Sequence, residues 1–447
     1  MKISGMKKIT SAVFVSLLVL FLASCSCYMK TDLGNESIDV SITRKKDASG
    51  NTGIILTFNE VSSELDIPDF LQGMPVIKIV FADATNLSSL TKITIPESVT
   101  EIDTFKGCSR LTEITMHENF IALPSFEDCK ELTKVEYHGS ISEIPANCFK
   151  NCDKLGTLTI DNISSITKIG ESAFYNCAKS LAKFNFPLEE TKITEIGNLV
   201  FYSCPLETVT LPATVEKVDD EAFNNCTKLT TVNGFKNVKE VGKKVFYSCK
   251  LLDNIELNPE INKEEKQDEN GNPKTTIKIP ENLFNGCEKL SSITIPDDVT
   301  ILGTYIFANC KALTELNIPE GIETVSSNLC NGCSGLASLT LPSTLTKIDS
   351  SAIKGCNGLS KIVCKAVNPP LIDESNSLSA DVLTKDLIIY VPDESVANYK
   401  SETAWGKVFE FSEDTGNQNP SESENTETTD TTKNAVKILI KGLSELQ

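Results

Sequence analysis

The chain has 447 residues and a formal net charge of −19, from 42 Lys and Arg against 61 Asp and Glu. This acidic balance argues against nucleic-acid binding, which needs clustered basic side chains. Only 2 histidines are present, so His-based catalysis and His-rich metal sites have few candidate residues. The length suits either several compact domains or one elongated array of repeats.

Residues 1–24 predict an export signal. A positively charged start precedes an apolar run (9–22) that is shorter than the roughly 20 residues a bilayer-spanning helix needs. The run leads into Leu-Ala-Ser-Cys (22–25), which resembles the lipobox of bacterial lipoproteins. That resemblance implies cleavage before Cys25, lipidation of Cys25, and a lipidated tether over residues 25–36. We therefore expect an exported protein, lipid-anchored at the outer membrane or cell surface; an ordinary secretory signal is the alternative.

One pattern recurs from about residue 100 to residue 364. It is clearest in three consecutive blocks of 23 residues (284–306, 307–329 and 330–352). A phenylalanine usually lies three residues before a recurring cysteine, and a leucine three residues after it. The cysteine recurs eleven times, at Cys108, Cys129, Cys152, Cys177, Cys204, Cys226, Cys249, Cys287, Cys310, Cys333 and Cys356.

Apolar residues also lie six and eight residues after the cysteine, with polar residues between them. This alternation predicts a short strand with one buried face, and a second apolar segment follows it. Such a unit buries its apolar side only by stacking on copies of itself. We therefore predict a repeat solenoid over residues 61–364, with a parallel β-sheet on one face and short second strands and turns on the other. The charged insertion at 262–274 predicts an exposed loop.

More narrowly, the repeats resemble the BspA-like leucine-rich repeats of bacterial surface proteins, whose units carry the pattern AFxxCxxLxxIxIP. Here the pattern occurs as AFNNCTKLTTV (222–232) and IFANCKALTELNIP (306–319), and the resemblance covers roughly residues 61–411. It implies a leucine-rich-repeat solenoid and a role in adhesion to host matrix proteins and to other cells.

The segments outside the repeats predict two caps and a tail. We expect an N-terminal cap (37–60), a C-terminal cap (365–411), a disordered polar linker (412–434) and a short apolar tail (435–447) that suits a short helix. In the C-terminal cap, four apolar residues are expected to cover the last core layer: Val391, Tyr399, Trp405 and Phe409.

The recurring cysteines lie in one column between apolar columns. We therefore expect them to pack as small buried apolar residues without a regular disulfide framework. Cys330 and Cys333 form a CxxC motif, which could be a redox pair or half of a zinc site. However, Cys330 falls in the phenylalanine column and Cys333 in the cysteine column, so the repeat alone accounts for the motif.

Three polar residues occupy the column where proline often lies. His117, His138 and Asp161 each follow their repeat cysteine by nine residues. Stacked side chains of these types could catch a metal ion; alternatively, they are polar residues at an exposed strand end. The sequence contains no Gly-rich phosphate loop, HExxH motif or nucleophile elbow. We expect no catalytic residue, resident metal or cofactor.

The outward side of the predicted sheet is the candidate binding face. Its residues lie seven positions after the repeat cysteines: Thr115, Glu136, Thr159, Asn233, Glu256, Thr294, Asn317 and Thr340. We expect a monomeric, membrane-anchored, non-enzymatic protein-binding and adhesion module. Its expected partners are extracellular or host matrix proteins or other cell-surface proteins. The alternative is a structural spacer or scaffold of the cell envelope without a dedicated ligand.

Overall fold

The computed structural model describes nine segments of the chain. They are residues 27–33, 36–46, 52–71, 73–82, 86–177, 192–267, 270–376, 383–409 and 437–446. The signal, Cys25 and the linker at 412–434 lie outside them. The chain divides into two compact units, Met1–Val215 and Glu216–Gln447. Across the nine segments, no helix combines the length and hydrophobicity needed to cross a membrane.

The described part of the first unit is built from strands. They are β1 (Cys27–Leu33), β2 (Glu36–Lys46), β3 (Thr52–Phe58), β4 (Glu64–Asp66), β5 (Phe70–Leu71), β6 (Met74–Phe81), β7 (Lys92–Thr94), β8 (Glu101–Ile102), β9 (Glu113–Met116), β10 (Lys134–Tyr137), β11 (Glu143–Ile144), β12 (Thr157–Ile160), β13 (Lys168–Ile169), β14 (Glu195–Ile196) and β15 (Thr208–Thr210).

The described part of the second unit adds two short helices. Its elements are β16 (Lys217–Val218), β17 (Thr231–Asn233), β18 (Glu240–Val241), β19 (Lys263–Gln267), β20 (Pro273–Ile279), β21 (Ile301–Leu302), β22 (Glu315–Asn317), β23 (Thr324–Val325), β24 (Ser338–Leu341), β25 (Lys347–Ile348), β26 (Lys361–Cys364), β27 (Leu371–Ile372), β28 (Leu387–Val391), α1 (Val396–Ser401), α2 (Thr403–Phe409) and β29 (Ile438–Gly442).

Each unit is a parallel β-solenoid. In the first unit, β9, β10 and β12 pair in parallel, and the two-residue strands β11, β13 and β14 pair in parallel in a separate sheet. In the second unit, β22, β24, β26 and β28 form one parallel sheet, while β23, β25 and β27 form another. The alternating pattern of the repeats produces this arrangement because each strand buries every second residue. These pairings confirm the predicted solenoid and its short second strands.

The first unit opens with an antiparallel sheet rather than with a repeat. Strands β1, β2 and β3 pair antiparallel, and β3 then pairs in parallel with β6. The inward residues Ile54, Leu56 and Phe58 of β3 are buried. In the second unit, the charged insertion is an antiparallel hairpin of β19 and β20. All five residues of β19 are exposed, so the predicted exposed loop is instead an exposed hairpin.

The phenylalanine column forms a buried stack of rings in each unit. In the first unit, the ring of Phe126 lies 5.3 Å from that of Phe105 and 5.5 Å from that of Phe149, with nearly parallel planes. In the second unit, the rings of Phe246 and Phe284 are 5.9 Å apart and also parallel. These rings are completely buried. Offset stacking at such separations adds to the stabilisation from burial alone.

Thiols of the cysteine column also donate hydrogen bonds to the backbone of neighbouring repeats. Eight of its thiols donate a hydrogen bond to the backbone carbonyl of the phenylalanine in the preceding repeat. Cys129 Sγ lies 3.1 Å from Phe105 O, and the same carbonyl accepts the backbone N–H of Cys108 at 3.0 Å. The contact recurs in both units, for Cys152, Cys177, Cys204, Cys249, Cys287, Cys310 and Cys333. The thiols are buried and free, so the column links successive repeats.

Every repeat makes one of its turns through a left-handed residue immediately before the cysteine. Asp128 has a φ of 64° and Asn151 a φ of 59°. Glycine, asparagine and aspartate are the residues that adopt this conformation most readily. The full column is Gly107, Asp128, Asn151, Asn176, Ser203, Asn225, Ser248, Gly286, Asn309, Gly332 and Gly355.

The C-terminal cap is anchored by aromatic side chains. Trp405 Nε1–H donates to Pro370 O at 2.8 Å, and the Tyr399 hydroxyl donates to Ala366 O at 2.8 Å. The rings of Tyr399 and Trp405 pack edge to face. These two residues, Val391 and Phe409 are all fully buried.

The prediction of a short helix in the apolar tail was wrong. Residues Ile438–Gly442 form strand β29, which pairs in parallel with β28 over five residues. The tail therefore extends the sheet one strand beyond the cap. Isoleucines at 438 and 440 point inward and are buried, with Leu439 between them on the outer side. This period of two favours a strand once β28 offers an unpaired edge.

Candidate binding faces

The predicted face residues of the first unit lie side by side. Thr115, Glu136 and Thr159 are paired in register across β9, β10 and β12. The Thr115 hydroxyl donates to Glu136 Oε2 at 3.0 Å, and Lys134 Nζ lies 2.9 Å from Glu136 Oε1. The Lys134 ammonium, assisted by Thr115, holds the pKa of the Glu136 carboxyl below its usual value. This part of the face is a polar network that presents short side chains.

The predicted face residues of the second unit are less uniform. Asn317 and Thr340 are paired in register on β22 and β24. Asn233 is exposed on β17, whereas Glu256 and Thr294 are exposed outside any described strand. Of these five residues, the structure therefore pairs only Asn317 with Thr340.

Beyond Thr340, the outward face of the second unit becomes apolar. The same register row continues through Val363, Tyr390 and Lys441 on β26, β28 and β29. In the adjacent row, Lys361, Ile388 and Leu439 lie next to one another. Tyr390, Ile388 and Leu439 are partly exposed, whereas Val363 is only 7% exposed. We call Tyr390, Ile388 and Leu439 the apolar patch.

The apolar patch lies beyond Thr340, the last residue of the predicted binding face, and was therefore not predicted. A signal was present in the segment LIIYV (387–391), whose residues are apolar on both faces of the strand. A strand with one solvated face normally alternates apolar and polar residues. The departure marks an outward face that differs from the Thr and Asn side chains of the preceding repeats.

The three polar residues of the proline column do not act as one group. His117 Nε2–H donates to Pro96 O at 2.8 Å, and its Nδ1 accepts the backbone N–H of Asn119 at 3.3 Å. Both ring nitrogens are therefore engaged by backbone. His138 Nδ1 lies 2.8 Å from Asp161 Oδ2, and both side chains are exposed. Within the part of the chain that the structure describes, no group of three His, Cys, Asp or Glu side chains is placed to hold a metal ion.

The CxxC motif belongs to the repeat columns. Cys330 and Cys333 are both fully buried. The Cys333 thiol donates to Phe307 O at 2.9 Å, and the Cys356 thiol donates to Cys330 O at 3.2 Å. Cys330 thus provides the carbonyl that phenylalanine provides elsewhere. The repeat geometry explains both residues without a redox or metal role.

Several solved structures are similar to this chain. A leucine-rich repeat protein from Bacteroides ovatus is 19% identical, over 72% of this chain and 92% of its own, with a TM-score of 0.43. A leucine rich cell surface protein from Faecalibacterium prausnitzii is 20% identical, over 75% and 94%, with a TM-score of 0.36. The pneumococcal vaccine antigen PcpA is 19% identical, over 84% and 97%, with a TM-score of 0.34. No curated protein matches the sequence.

The repeats themselves carry the family assignment. The family model described as "BspA type Leucine rich repeat region (6 copies)" matches residues 80–195, 194–268 and 269–371. These matches span more than half of the 447 residues. They include the Phe, Cys and Leu columns whose buried stacks form both solenoid units. The chain therefore belongs to the BspA-type leucine-rich-repeat family.

Proposed function

We propose that this protein is a membrane-anchored, non-enzymatic binding module displayed on the bacterial cell surface. In this proposal it adheres to extracellular or host matrix proteins, or to proteins of other cells, through the outward face of its strands. Membership in the BspA-type family supports a protein-binding or adhesive role in general. The observation that carries the proposal is the apolar patch on an otherwise polar sheet.

The chemistry of the apolar patch suits a protein partner. Tyrosine is among the residues that contribute most to binding energy in protein interfaces, and Tyr390 lies on the same side of β28 as Ile388. Lys361 and Lys441 flank the patch in the same rows, and Lys441 Nζ lies 3.3 Å from Glu445 Oε2. A partner segment with apolar side chains and a carboxylate near Lys361 would complement this local arrangement.

The anchor in this proposal is Cys25. Lipidation there would tether the folded units to a membrane. Stable anchoring requires more than one acyl chain. The lipobox resemblance implies that Cys25 carries acyl chains.

We expect replacement of Tyr390 by serine to weaken binding of the purified chain to immobilised extracellular-matrix proteins at least tenfold. A tenfold change corresponds to about 1.4 kcal/mol, a modest loss for an aromatic anchor. The matched control is Leu371→Ser, which removes an apolar side chain that is 73% exposed on the other sheet of the same unit. Surface plasmon resonance of the wild type and both variants gives the comparison.

The wild-type chain and the Cys25→Ala variant, each expressed in cells, test the anchor. Wild type should incorporate radioactive palmitate, resist release from intact cells and be cleaved by added protease, whereas Cys25→Ala should take up no label.

Equal binding by the Tyr390→Ser and wild-type chains would reject the patch as the contact. Surface exposure without binding to any matrix or cell-surface protein would favour the structural spacer instead.

A further inference from the structure

The last described segment of the chain, Lys437–Leu446, packs against the rest of the second unit and pairs with β28. In sequence, 27 residues separate Phe409 at the end of α2 from Lys437. β29 pairs in parallel with β28. Parallel pairing needs a long return connection rather than a tight turn. The segment Lys437–Leu446 is therefore held in place by its own contacts and not by the geometry of a hairpin.

Those contacts form a built site along the edge of β28, which we call the strand-acceptor groove. At its start, Lys437 N–H donates to Asp386 Oδ1 at 2.8 Å, and Leu387 N–H donates to Lys437 O at 2.9 Å. At its end, Asp393 Oδ1 accepts both the backbone N–H and the hydroxyl of Ser444, at 3.2 and 2.9 Å. Two carboxylates thus hold the backbone at both ends of the strand.

The groove also selects side chains. Ile438 is fully buried and Ile440 is 6% exposed, so two apolar side chains anchor the segment to the end of the core. A Cβ on Gly442 would lie 1.9 Å from Asp393 Oδ1. A larger residue there would displace the carboxylate that binds Ser444. The motif read by the groove is therefore I-x-I-x-G-x-S, from 438 to 444.

We propose that this groove accepts the segment Lys437–Leu446 of a second copy of the chain, which links copies by strand exchange. The contacts of the groove described above all fall within the ten residues Lys437–Leu446. Because the contacts are the same whichever copy supplies the strand, exchange costs no interaction within the site. Exchange would cluster the binding faces of several copies on one surface. It does not depend on any external partner.

The test uses two full-length variants with complementary defects. Ile438→Ser removes an anchor from the donor strand and leaves the groove intact. The double variant Asp386→Ala, Asp393→Ala disables the groove and leaves the donor strand intact. Mixed together, they should form a one-to-one complex, because only one donor and one groove remain functional. Size-exclusion chromatography with light scattering should show each variant alone as a monomer and the mixture as a dimer.

A synthetic peptide provides a second readout. A fluorescent peptide of residues 435–447 should bind the Ile438→Ser chain at least ten times more tightly than the same peptide carrying serine at 438. The wild-type chain is the control and should bind little peptide because its own segment occupies the groove. Gly442→Val replaces Ile438→Ser if the latter chain has a reduced circular dichroism signal. Monomers in the mixture, or equal binding of the two peptides, would overturn the proposal.

Discussion

Replacing Phe126 with alanine should lower the free energy of unfolding of the first unit by about 3–5 kcal/mol. Phe126 is fully buried, and its ring stacks on both Phe105 and Phe149. The substitution therefore removes buried apolar surface, two ring contacts and the packing of neighbours on both sides. Urea titration of the wild type and the variant, followed by circular dichroism, measures the difference.

The control for this prediction is a phenylalanine outside the column. Phe70 is 60% exposed, and its replacement by alanine should change the free energy of unfolding by no more than about 0.5 kcal/mol. If both substitutions had effects of the same small size, the ring stack would not be the core of the unit.

Alkaline pH should unfold the protein over a narrow range. Burial raises the pKa of eight thiols, and neighbouring thiols reinforce the shift for most of them: Cys148, Cys152, Cys177, Cys249, Cys287, Cys310, Cys356 and Cys364. In the unfolded chain a thiol ionises with a pKa of about 8.5. Above that pH the folded state retains protons that the unfolded state releases, so stability falls as pH rises.

Each such thiol removes about 1.4 kcal/mol per pH unit above its unfolded pKa. Three of these thiols lie in the first unit and five in the second. The two units should therefore lose about 4 and about 7 kcal/mol per pH unit, a large part of the stability of a typical domain. We therefore expect stability to be nearly constant from about pH 6 to pH 8 and unfolding to occur by about pH 10. Urea midpoints measured across this range with a reductant present test the expectation.

A single substitution refines the alkaline prediction. In Cys249→Ala, the pH-dependent loss of stability above about pH 9 should be shallower by about 1.4 kcal/mol per unit. At neutral pH the variant should be less stable than the wild type, since it lacks the hydrogen bond from Cys249 to Phe223 O. A urea midpoint that stayed constant between about pH 8 and pH 10 would show that these thiols are not buried as neutral groups.

The repeat architecture could be predicted because side chains recur at fixed spacing. The Phe, Cys and Leu columns specify which residues stack, and alternation after each cysteine specifies the strands. Burial of Phe126 and Cys129 follows directly from those columns. The left-handed turn could have been predicted as well, since only Gly, Asn, Asp and Ser occur immediately before the cysteine.

Other features depend on contacts between distant parts of the chain. The tail has the composition of either a short helix or a strand, and only the unpaired edge of β28 favours the strand. The hydrogen bond from Cys129 to Phe105 O depends on how successive turns stack, which spacing alone does not give. Similarly, His117 shares a sequence column with His138, but Pro96 O and Asn119 N–H engage its ring locally.

The positions of the sulfur atoms test the central claim most directly. Long-wavelength anomalous diffraction from a crystal of the protein locates sulfur independently of any prior coordinates. We predict that the repeat-cysteine sulfurs of each unit form a single row, with neighbours about 5 Å apart, close to the spacing of stacked parallel strands. Sulfur peaks scattered through separate globular cores would contradict the stacked-repeat account.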